Sequence, residues 1–497
     1  MRISKSPLTG KEYTLPEGGD DGANIEAFLA RNSGKPVVVV QGLGFVGAVM
    51  SLICANAPET DYAVIGVDLP TQNTFWKIQS LNEGVFPLVA DDPNIELLYR
   101  AAVEAGSFYA TFDERAYAAA DVVIVDINLD VAKTSTGWNE LTGYDVDLTG
   151  FTRAMQSIGR HCKPDALLLV ETTVPPGTCD KVVRPVIEAA LTERGLPTDQ
   201  IRIGHSYERV MPGKNYVDSI RNYFRVFSGV DEASAQATEA FLRTIISTDE
   251  YPLTRLGNTN ATEMAKVLEN SYRAMNIAFI VEWTRFAEEA GVNLYEVVRA
   301  IRKRNTHANI MLPGIGVGGY CLTKDPLLAS WARQQLFGSD SPLTQSEAGV
   351  AINDRMPFYA FEFLKAQYDG DLRGSRVLLL GVSYRQEVGD TRYTPVEVLY
   401  DCLLDAGAIV TLHDPHVPYW EEKDLHLTEE LDDVIARDHD VVVISTGHPQ
   451  YRAPEFVATL METNPVLLYD TVGLYPEADV QRLSTRHTVK VLGRGDL

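Results

Sequence analysis

Pro36-Val37-Val38-Val39-Val40-Gln41 is a β-branched run with no polar alternation, the pattern of a strand covered on both faces. Gly42-Leu43-Gly44-Phe45-Val46-Gly47 follows at once, and Ala48 to Ala55 reads as a helix. Strand, glycine turn and helix in that order point to a doubly wound α/β fold that binds a dinucleotide. The first glycine makes the tight turn and the second lets a pyrophosphate approach the helix N-terminus. The third lets the helix pack on the strand. A second strand, Ala63-Val64-Ile65-Gly66-Val67, ends at Asp68, 21 residues after Gly47. A carboxylate at that spacing takes the ribose hydroxyls of NAD and repels the 2′-phosphate of NADP. Gly42, Gly44, Phe45, Val46, Gly47 and Asp68 are therefore the first candidate cofactor residues.

The alternation continues. Asp121 to Val125 reads as a strand, followed by an irregular stretch to Gly150, a helix from Phe151 to His161 and the strand Ala166 to Val170. That strand runs out into Glu171-Thr172-Thr173-Val174-Pro175-Pro176-Gly177-Thr178. Open α/β sheets bind ligands at the C-terminal ends of their strands, which makes Glu171 and Thr173 site candidates, although a plain turn would read similarly. After a strand near Arg202 comes Glu208-Arg209-Val210-Met211-Pro212-Gly213-Lys214, a basic loop suited to a phosphate or a sugar. Arg376 to Val382 starts a second strand–turn–helix pattern, with Arg385 and Arg392 in its first loop. Its further strands are Ile409 to His413, Asp440 to Ile444 and Val466 to Asp470.

The two sheet patterns are joined by helical sequence. The segment from Thr259 to Ala290 reads as one long apolar helix, and Lys266 and Asn270, four apart, share a face of it. A lysine and an amide on one face can hold a developing oxyanion. A shorter helix, Leu294 to Lys303, leads to Gly314-Ile315-Gly316-Val317-Gly318-Gly319-Tyr320-Cys321-Leu322-Thr323-Lys324-Asp325. Glycines let backbone press close to a ligand, a nearby lysine favours the nucleophilic thiolate, and a carboxylate four residues on can position water.

The resulting division is an N-terminal extension over 1–34, an NAD-binding Rossmann-like domain over 35–250, a central helical domain over 251–370 and a C-terminal Rossmann-like domain over 371–497. The extension is polar and rich in Gly, Asp and Pro, and is expected to be partly ordered at best. A net charge of −24 over 497 residues argues against a nucleic-acid surface. Five scattered cysteines without metal spacing point to a reducing compartment, and no apolar run is long enough to span a membrane. The expectation is a cytoplasmic enzyme in which Cys54, Cys162, Cys179 and Cys402 are core residues.

A cofactor that accepts hydride and a nucleophilic cysteine in one chain suggest more than one oxidation. An alcohol gives an aldehyde with one hydride. The aldehyde has no second hydride to give until a thiolate adds to it; the thiohemiacetal then yields a thioester, which water opens to the acid. Such a sequence needs a thiol, an oxyanion partner and a water-positioning group. Cys321, Lys266 with Asn270, and Asp325 with Glu171 fill those roles. The second nucleotide-binding pattern suggests that the substrate carries a nucleotide.

These residues resemble the UDP-glucose/GDP-mannose dehydrogenase family over roughly residues 36 to 495. Gly42 to Gly47, Glu171-Thr172-Thr173-Val174-Pro175, Lys266 with Asn270, Gly318-Gly319-Tyr320-Cys321 and Lys324-Asp325 occur in the family's order. The resemblance implies NAD-dependent, four-electron oxidation of a nucleotide-sugar C6 alcohol, with Cys321 as nucleophile and Lys266 stabilising oxyanions. It implies that Asn270 and Asp325 hold water and that Glu171 assists thioester hydrolysis. Glu208, Arg209, Val210, Gly318, Gly319, Lys324, Tyr384 and Arg385 would contact the nucleotide sugar, and the central helices would form a homodimer or the core of a higher homo-oligomer. The Glu208 to Lys214 loop and Glu269 to Ala278 look like the N-acetylhexosamine branch, acting on UDP-N-acetylglucosamine or UDP-N-acetylmannosamine. Lys324-Asp325 looks like the UDP-glucose branch, so UDP-glucose is the main alternative. Five positions depart from the family pattern: Leu129-Asp130 for a usual Thr-Pro, His307 for a frequent arginine, Arg385 for a lysine and Val472 for an arginine. A two-electron hydroxyacid dehydrogenase would need neither Cys321 nor the third domain, and a non-catalytic nucleotide-sugar-binding protein would need none of the reactive groups.

Overall fold

The computed structural model describes residues 2–18, 20–88, 92–207, 209 and 213–497. Two compact units emerge, each assembled from several stretches of chain. The first holds 1–131, 146–267 and 331–341; the second holds 132–145, 268–330 and 342–497.

The chain runs β1 (Ile3–Lys5), β2 (Glu12–Thr14), α1 (Gly22–Arg31), β3 (Val37–Gln41), α2 (Phe45–Ala55), β4 (Ala63–Val67), α3 (Phe75–Asn82), α4 (Pro93–Ala105), β5 (Phe108–Thr111) and β6 (Val122–Val125). It continues with β7 (Val131–Thr136), β8 (Glu140–Val146), α5 (Thr149–His161), β9 (Leu167–Val170), α6 (Arg184–Glu193), β10 (Arg202–Tyr207), α7 (Tyr216–Arg221), β11 (Val226–Gly229), α8 (Glu232–Ile245) and β12 (Thr254–Arg255). The main sheet of the first unit has the order β12-β11-β10-β9-β6-β3-β4-β5. All neighbours are parallel except β10 and β11. The chain leaves β3 towards β4 and β5, then returns to β6 on the other side, so the order reverses at β3 and β6. That reversal opens a crevice at the C-terminal ends of these strands, where ligands of such sheets bind. Every residue of β3, β4, β6 and β9 is buried, which is why they read as continuous apolar runs. Their two faces feed separate cores, one with Val38, Val40 and Leu169, the other with Val39, Val123 and Leu168.

The described residues ahead of β3 are not loose. β1 and β2 form an antiparallel hairpin, and α1 sends Ile25 and Phe28 into the core that holds Val39 and Val67. Scattered apolar positions among polar ones hid this, because neither strand exceeds three residues. The stretch read as irregular before Gly150 contains the β7–β8 hairpin, which belongs to the second unit.

The second unit adds most of α9 (Thr259–Glu289), α10 (Leu294–Arg302), α11 (Asp325–Gln335), α12 (Thr344–Ala366), β13 (Arg376–Leu380), α13 (Pro395–Asp405), β14 (Ile409–His413), β15 (Tyr419–Trp420), β16 (Leu425–His426), α14 (Leu431–Ile435), β17 (Val441–Ile444), α15 (Pro454–Glu462), β18 (Leu467–Asp470), α16 (Glu477–Ser484) and β19 (Thr488–Val491). α9 begins in the first unit and α11 ends there. The sheet order β14-β13-β17-β18-β19 is parallel throughout and reverses at β13 and β17. The β7–β8 hairpin is held here by Lys133 on Asp354 (2.6 Å) and by Trp138 stacked on Phe358, with ring centroids 5.7 Å apart. No described helix is long and apolar enough to cross a membrane.

Close packing of strand on helix makes some glycines irreplaceable. A Cβ on Gly229 of β11 would overlap the backbone nitrogen of Ala235 in α8, whereas one on Gly143 of β8 would meet nothing within 4 Å. Gly229→Ala should therefore cost about 1–3 kcal/mol in a urea titration and Gly143→Ala less than about 0.5 kcal/mol. Equal effects would mean that α8 does not sit against β11 as described.

Candidate active site

In the first unit the glycine turn is held from two sides. Gly42, at φ 99°, donates its N–H to Val67 O (2.8 Å). Asp68 Oδ2 accepts from Leu43 N (3.0 Å) and Oδ1 from Leu69 N (2.7 Å). A Cβ at Gly47 would overlap Gly42 O, so the third glycine is what lets α2 approach β3. α2 starts directly after Gly44 with its first N–H groups directed outwards. Burial raises the Asp68 carboxyl above its ordinary range, against the backbone N–H groups that lower it. Gly42, Gly44 and Asp68 line a cavity of about 870 Å³ that also reaches Asp126, Asn128, Arg115 and Arg153. Anion-directed N–H groups, a bare glycine surface and a half-buried carboxylate fit a dinucleotide. Phe45, Val46 and Gly47 build the helix start, and Thr173 is not among the residues lining this cavity.

Glu171, at the end of β9, is 1% exposed and pairs with Arg225 across 2.8 Å; the Arg225 side chain is itself 2% exposed. The sequence reading missed Arg225, whose only signal was a lone cation leading into an apolar strand. A second buried cluster lies beside it. Glu263 of α9 accepts from Gly177 N (2.6 Å) and Cys179 N (2.8 Å), so it fixes the loop that follows Glu171. His205 Nδ1 meets Thr262 Oγ1 at 2.8 Å, and burial lowers its pKa to about 3. Lys266 is 7% exposed, with Nζ 5.4 Å from the centre of the Tyr207 ring; Arg209 lies 5.6 Å from the same ring. Glu208 and Val210 lie outside the described residues.

In the second unit Cys321 stands in the turn that precedes α11, and it is the exposed one of the five cysteines. Burial pushes the thiols of Cys54, Cys162 and Cys179 up and that of Cys402 to about 11. The carbonyl of Cys321 accepts from Asp325 N (2.9 Å), which ties the thiol-bearing turn to the first residue of the helix. Asp325 is fully buried: Oδ2 accepts from Asn270 Nδ2 (2.6 Å) and Oδ1 from Lys324 Nζ (2.9 Å). Lys324 is 4% exposed and lies 4.6 Å from the centre of the Tyr320 ring. The glycines are used for close approach. A Cβ at Gly316 would overlap Pro395, one at Gly318 would overlap Tyr384, and one at Gly319 would come 2.9 Å from the Tyr384 ring. Gly319 N also donates to Arg392 O (3.0 Å), beside Tyr393 at φ 53°. An aromatic residue held in that region stores strain, which is common where backbone geometry serves a site.

The same unit has a cavity of about 350 Å³ at the reversal of its sheet, lined by Gly314, Gly316, Tyr384, Arg385, Arg452 and Val472 among others. Arg452 is a further cation here that the sequence reading did not single out. Gly318, Gly319 and Lys324 support the cysteine turn rather than line this cavity.

A dinucleotide-type sheet with a carboxylate at its second strand lies in one unit, and an exposed thiol on a turn tied to a buried Asn–Asp–Lys cluster lies in the other; each is a feature of oxidoreductase chemistry. Residues 36–246 match the NAD binding domain of the UDP-glucose/GDP-mannose dehydrogenase family, 260–355 its central domain and 378–477 its UDP binding domain. The chain belongs to that family and is an NAD-dependent nucleotide-sugar dehydrogenase. It is 28% identical over 465 residues to the UDP-N-acetyl-D-mannosamine dehydrogenase of Pyrococcus horikoshii, covering 93% of this chain and 100% of that one. It is 27% identical to the UDP-glucose 6-dehydrogenase of Rhizobium meliloti, covering 92% and 100%. The solved structure of the UDP-D-ManNAc dehydrogenase from Pyrococcus horikoshii superposes with a TM-score of 0.75 at 26% identity, covering 93% and 100%.

Burial pushes the Glu263 carboxyl up to about 7 from an ordinary 4.5, against the Cys179 and Gly177 N–H groups. The native state therefore holds this proton at pH values where the unfolded chain has lost it. The resulting stability is present below about pH 4.5 and is lost as the pH rises through about 7. In urea titrations of wild type and Glu263→Gln, the wild-type advantage should shrink by on the order of 1–3 kcal/mol between about pH 5 and pH 8. An advantage that grows with pH would mean an ionised carboxylate held by the two N–H groups.

Proposed function

We propose that the chain oxidises the C6 alcohol of a UDP-linked N-acetylhexosamine, UDP-N-acetylmannosamine or UDP-N-acetylglucosamine, to the uronic acid through a covalent intermediate on Cys321. The observation that carries this reading is the exposed thiol of Cys321 on a turn tied to the buried Asn270–Asp325–Lys324 cluster. The name of the Pyrococcus horikoshii relative supports the acetamido sugar. When bound, NAD accepts hydride.

Loss of the C6 hydroxyl proton and one hydride leaves the aldehyde. Lys266 steadies the oxygen that carries the developing negative charge. The Cys321 thiolate then adds to the carbonyl carbon, and the resulting thiohemiacetal loses a second hydride to become a thioester. Water adds to the thioester, the C–S bond breaks and the thiol returns. Asn270 gives its amide N–H to Asp325, so its amide oxygen is turned to accept from a water O–H. Asp325, with both oxygens engaged, orients Asn270 and pairs with Lys324. Glu171 assists the hydrolytic step from its ion pair with Arg225, and Arg209 with the flanking Glu208 and Val210 contacts the sugar. Tyr384 and Arg385 hold the nucleotide end beside the smaller cavity, where a guanidinium can pair with phosphate.

NADH yield per limiting sugar tests the reaction. The panel is UDP-N-acetylmannosamine, UDP-N-acetylglucosamine, UDP-glucose and GDP-mannose. Two NADH per acetamido sugar are expected, with Cys321→Ser making no acid while still binding NADH. One NADH per sugar, or acid from the variant, would overturn the covalent route. Two NADH from UDP-glucose alone would replace the sugar assignment.

We also propose a homodimer through α9. Leu268 (63% exposed), Tyr272 (57%), Phe279 (54%), Trp283 (47%) and Phe286 (59%) recur at helical spacing along one exposed stripe. A stripe of that size on a charged chain marks a protein contact, and a second copy offers a matching face. Light scattering should give a dimer for wild type and a monomer for Trp283→Arg/Phe286→Arg; a monomeric wild type would refute it.

A further inference from the structure

The segment ahead of β3 is built into the wall of the cofactor cavity. It is fastened at several points. Ser4 Oγ donates to Gln72 O (2.6 Å) and accepts from Trp76 N (3.0 Å). Lys11 Nζ and Tyr13 OH both reach Glu83 Oε2 (2.7 and 2.8 Å). Asp21 accepts from Tyr109 OH (2.8 Å) and Thr111 Oγ1 (2.5 Å), while its own N–H donates to Asp113 Oδ2 (2.9 Å). These bonds carry the segment from α3 to the C-terminal end of β5, next to β4 and its Asp68. Between the fastenings, Pro16, Gly18 and Asp20 line the same cavity as Gly42, Gly44 and Asp68. Arg115 lines it too, and its guanidinium is engaged by Asp20 and by Asp113. Gly22 leaves room for this: a Cβ there would come 2.6 Å from Arg115 Nη2.

We propose that the N-terminal segment is a cofactor-specificity element, in which Asp20 occupies the Arg115 guanidinium at the adenosine end of the cavity and denies it to a 2′-phosphate. An NAD pocket rejects NADP by placing a carboxylate at the ribose hydroxyls, and an NADP pocket accepts it with an arginine nearby. This cavity holds both groups, Asp68 and Arg115. Without Asp20 the arginine would keep one carboxylate, Asp113, and gain capacity for a charge-assisted bond to phosphate. With Asp20 it is neutralised from two sides, and the carboxylate of Asp68 decides the choice. Asp20 is thus a specificity-determining residue contributed by a segment that precedes the matched family region.

The test is the binding of NADH and NADPH to the full-length protein, read by nucleotide fluorescence without substrate. ADP-ribose and its 2′-phosphate serve as competitors. Asp20→Ala should narrow the preference for NADH over NADPH about tenfold or more, and tighten the 2′-phosphate competitor in parallel. Adding Arg115→Ala to that variant should restore the preference, because the gain runs through the guanidinium. Asp20→Asn, which keeps the side-chain volume, is read beside Asp20→Ala so that a folding defect in one does not decide the matter. An unchanged NADH/NADPH ratio in the folded variants overturns the proposal. So does a gain that survives loss of Arg115.

Discussion

The first unit depends on the approach of α2 to β3 at Gly42 and Gly47. No side chain fits between them, so strand and helix meet backbone to backbone. The left-handed turn at Gly42 is then locked by Val67 and Asp68, residues of the neighbouring strand and its end. A turn held this way points the free N–H groups of α2 into the crevice where the strand order reverses. The carboxylate that fixes the turn is the same one left half-exposed in the cavity beside it. The fold of the turn and the placing of that carboxylate are in this way properties of a single hydrogen-bonded corner.

The second unit repeats that corner with a different outcome. Gly381 again has φ 99° and donates to His413 O (2.8 Å), and Asp414 at the end of β14 accepts from Val382 N (2.8 Å) and Ser383 N (2.9 Å). Here, however, His448 closes on Asp414 at 3.2 Å and both side chains are fully buried. Burial would raise the Asp414 carboxyl, but the bond from His448 leads the interactions that bring it to about 2. A carboxylate committed to a histidine and three backbone N–H groups has nothing to offer a ribose. The corner keeps its structural use and loses its dinucleotide chemistry, which suits a sheet whose family match is a UDP binding domain.

Much of this was legible in the sequence because it is local. Continuous β-branched runs, the glycine spacing, the 21 residues to Asp68 and the i, i+4 pair on α9 each depend on neighbours in the chain. What escaped depends on distant partners. Arg225 meets Glu171 from 54 residues away, His448 meets Asp414 from 34, and Lys133 meets Asp354 from 221. The N-terminal segment was misread for the same reason: its order comes from Glu83, Tyr109 and Thr111, not from its own composition. Lys324 illustrates the limit differently. Its place in the motif was visible, but its burial and its ion pair with Asp325 were not.

The cysteine turn gains meaning from the unit that carries it. Gly314 and Gly316 line the smaller cavity, while Gly316, Gly318 and Gly319 press on Tyr384 of the second sheet's first loop and on Pro395 at the start of α13. A Cβ at Gly316, Gly318 or Gly319 would push the turn away from these residues, so the glycines couple the thiol and the smaller cavity within one frame. In the proposed reaction the thiol must reach C6 after the first hydride loss and stay bonded to it through the second, until water breaks the C–S bond. A nucleophile referenced to the same loop as the nucleotide end keeps its distance to C6 through both steps. The strain at Tyr393, whose neighbour Arg392 holds Gly319, is then the local cost of that fixed distance. It is tolerated because Asp390 anchors Arg392 on the far side, with Nη2 at 2.6 Å from Oδ2.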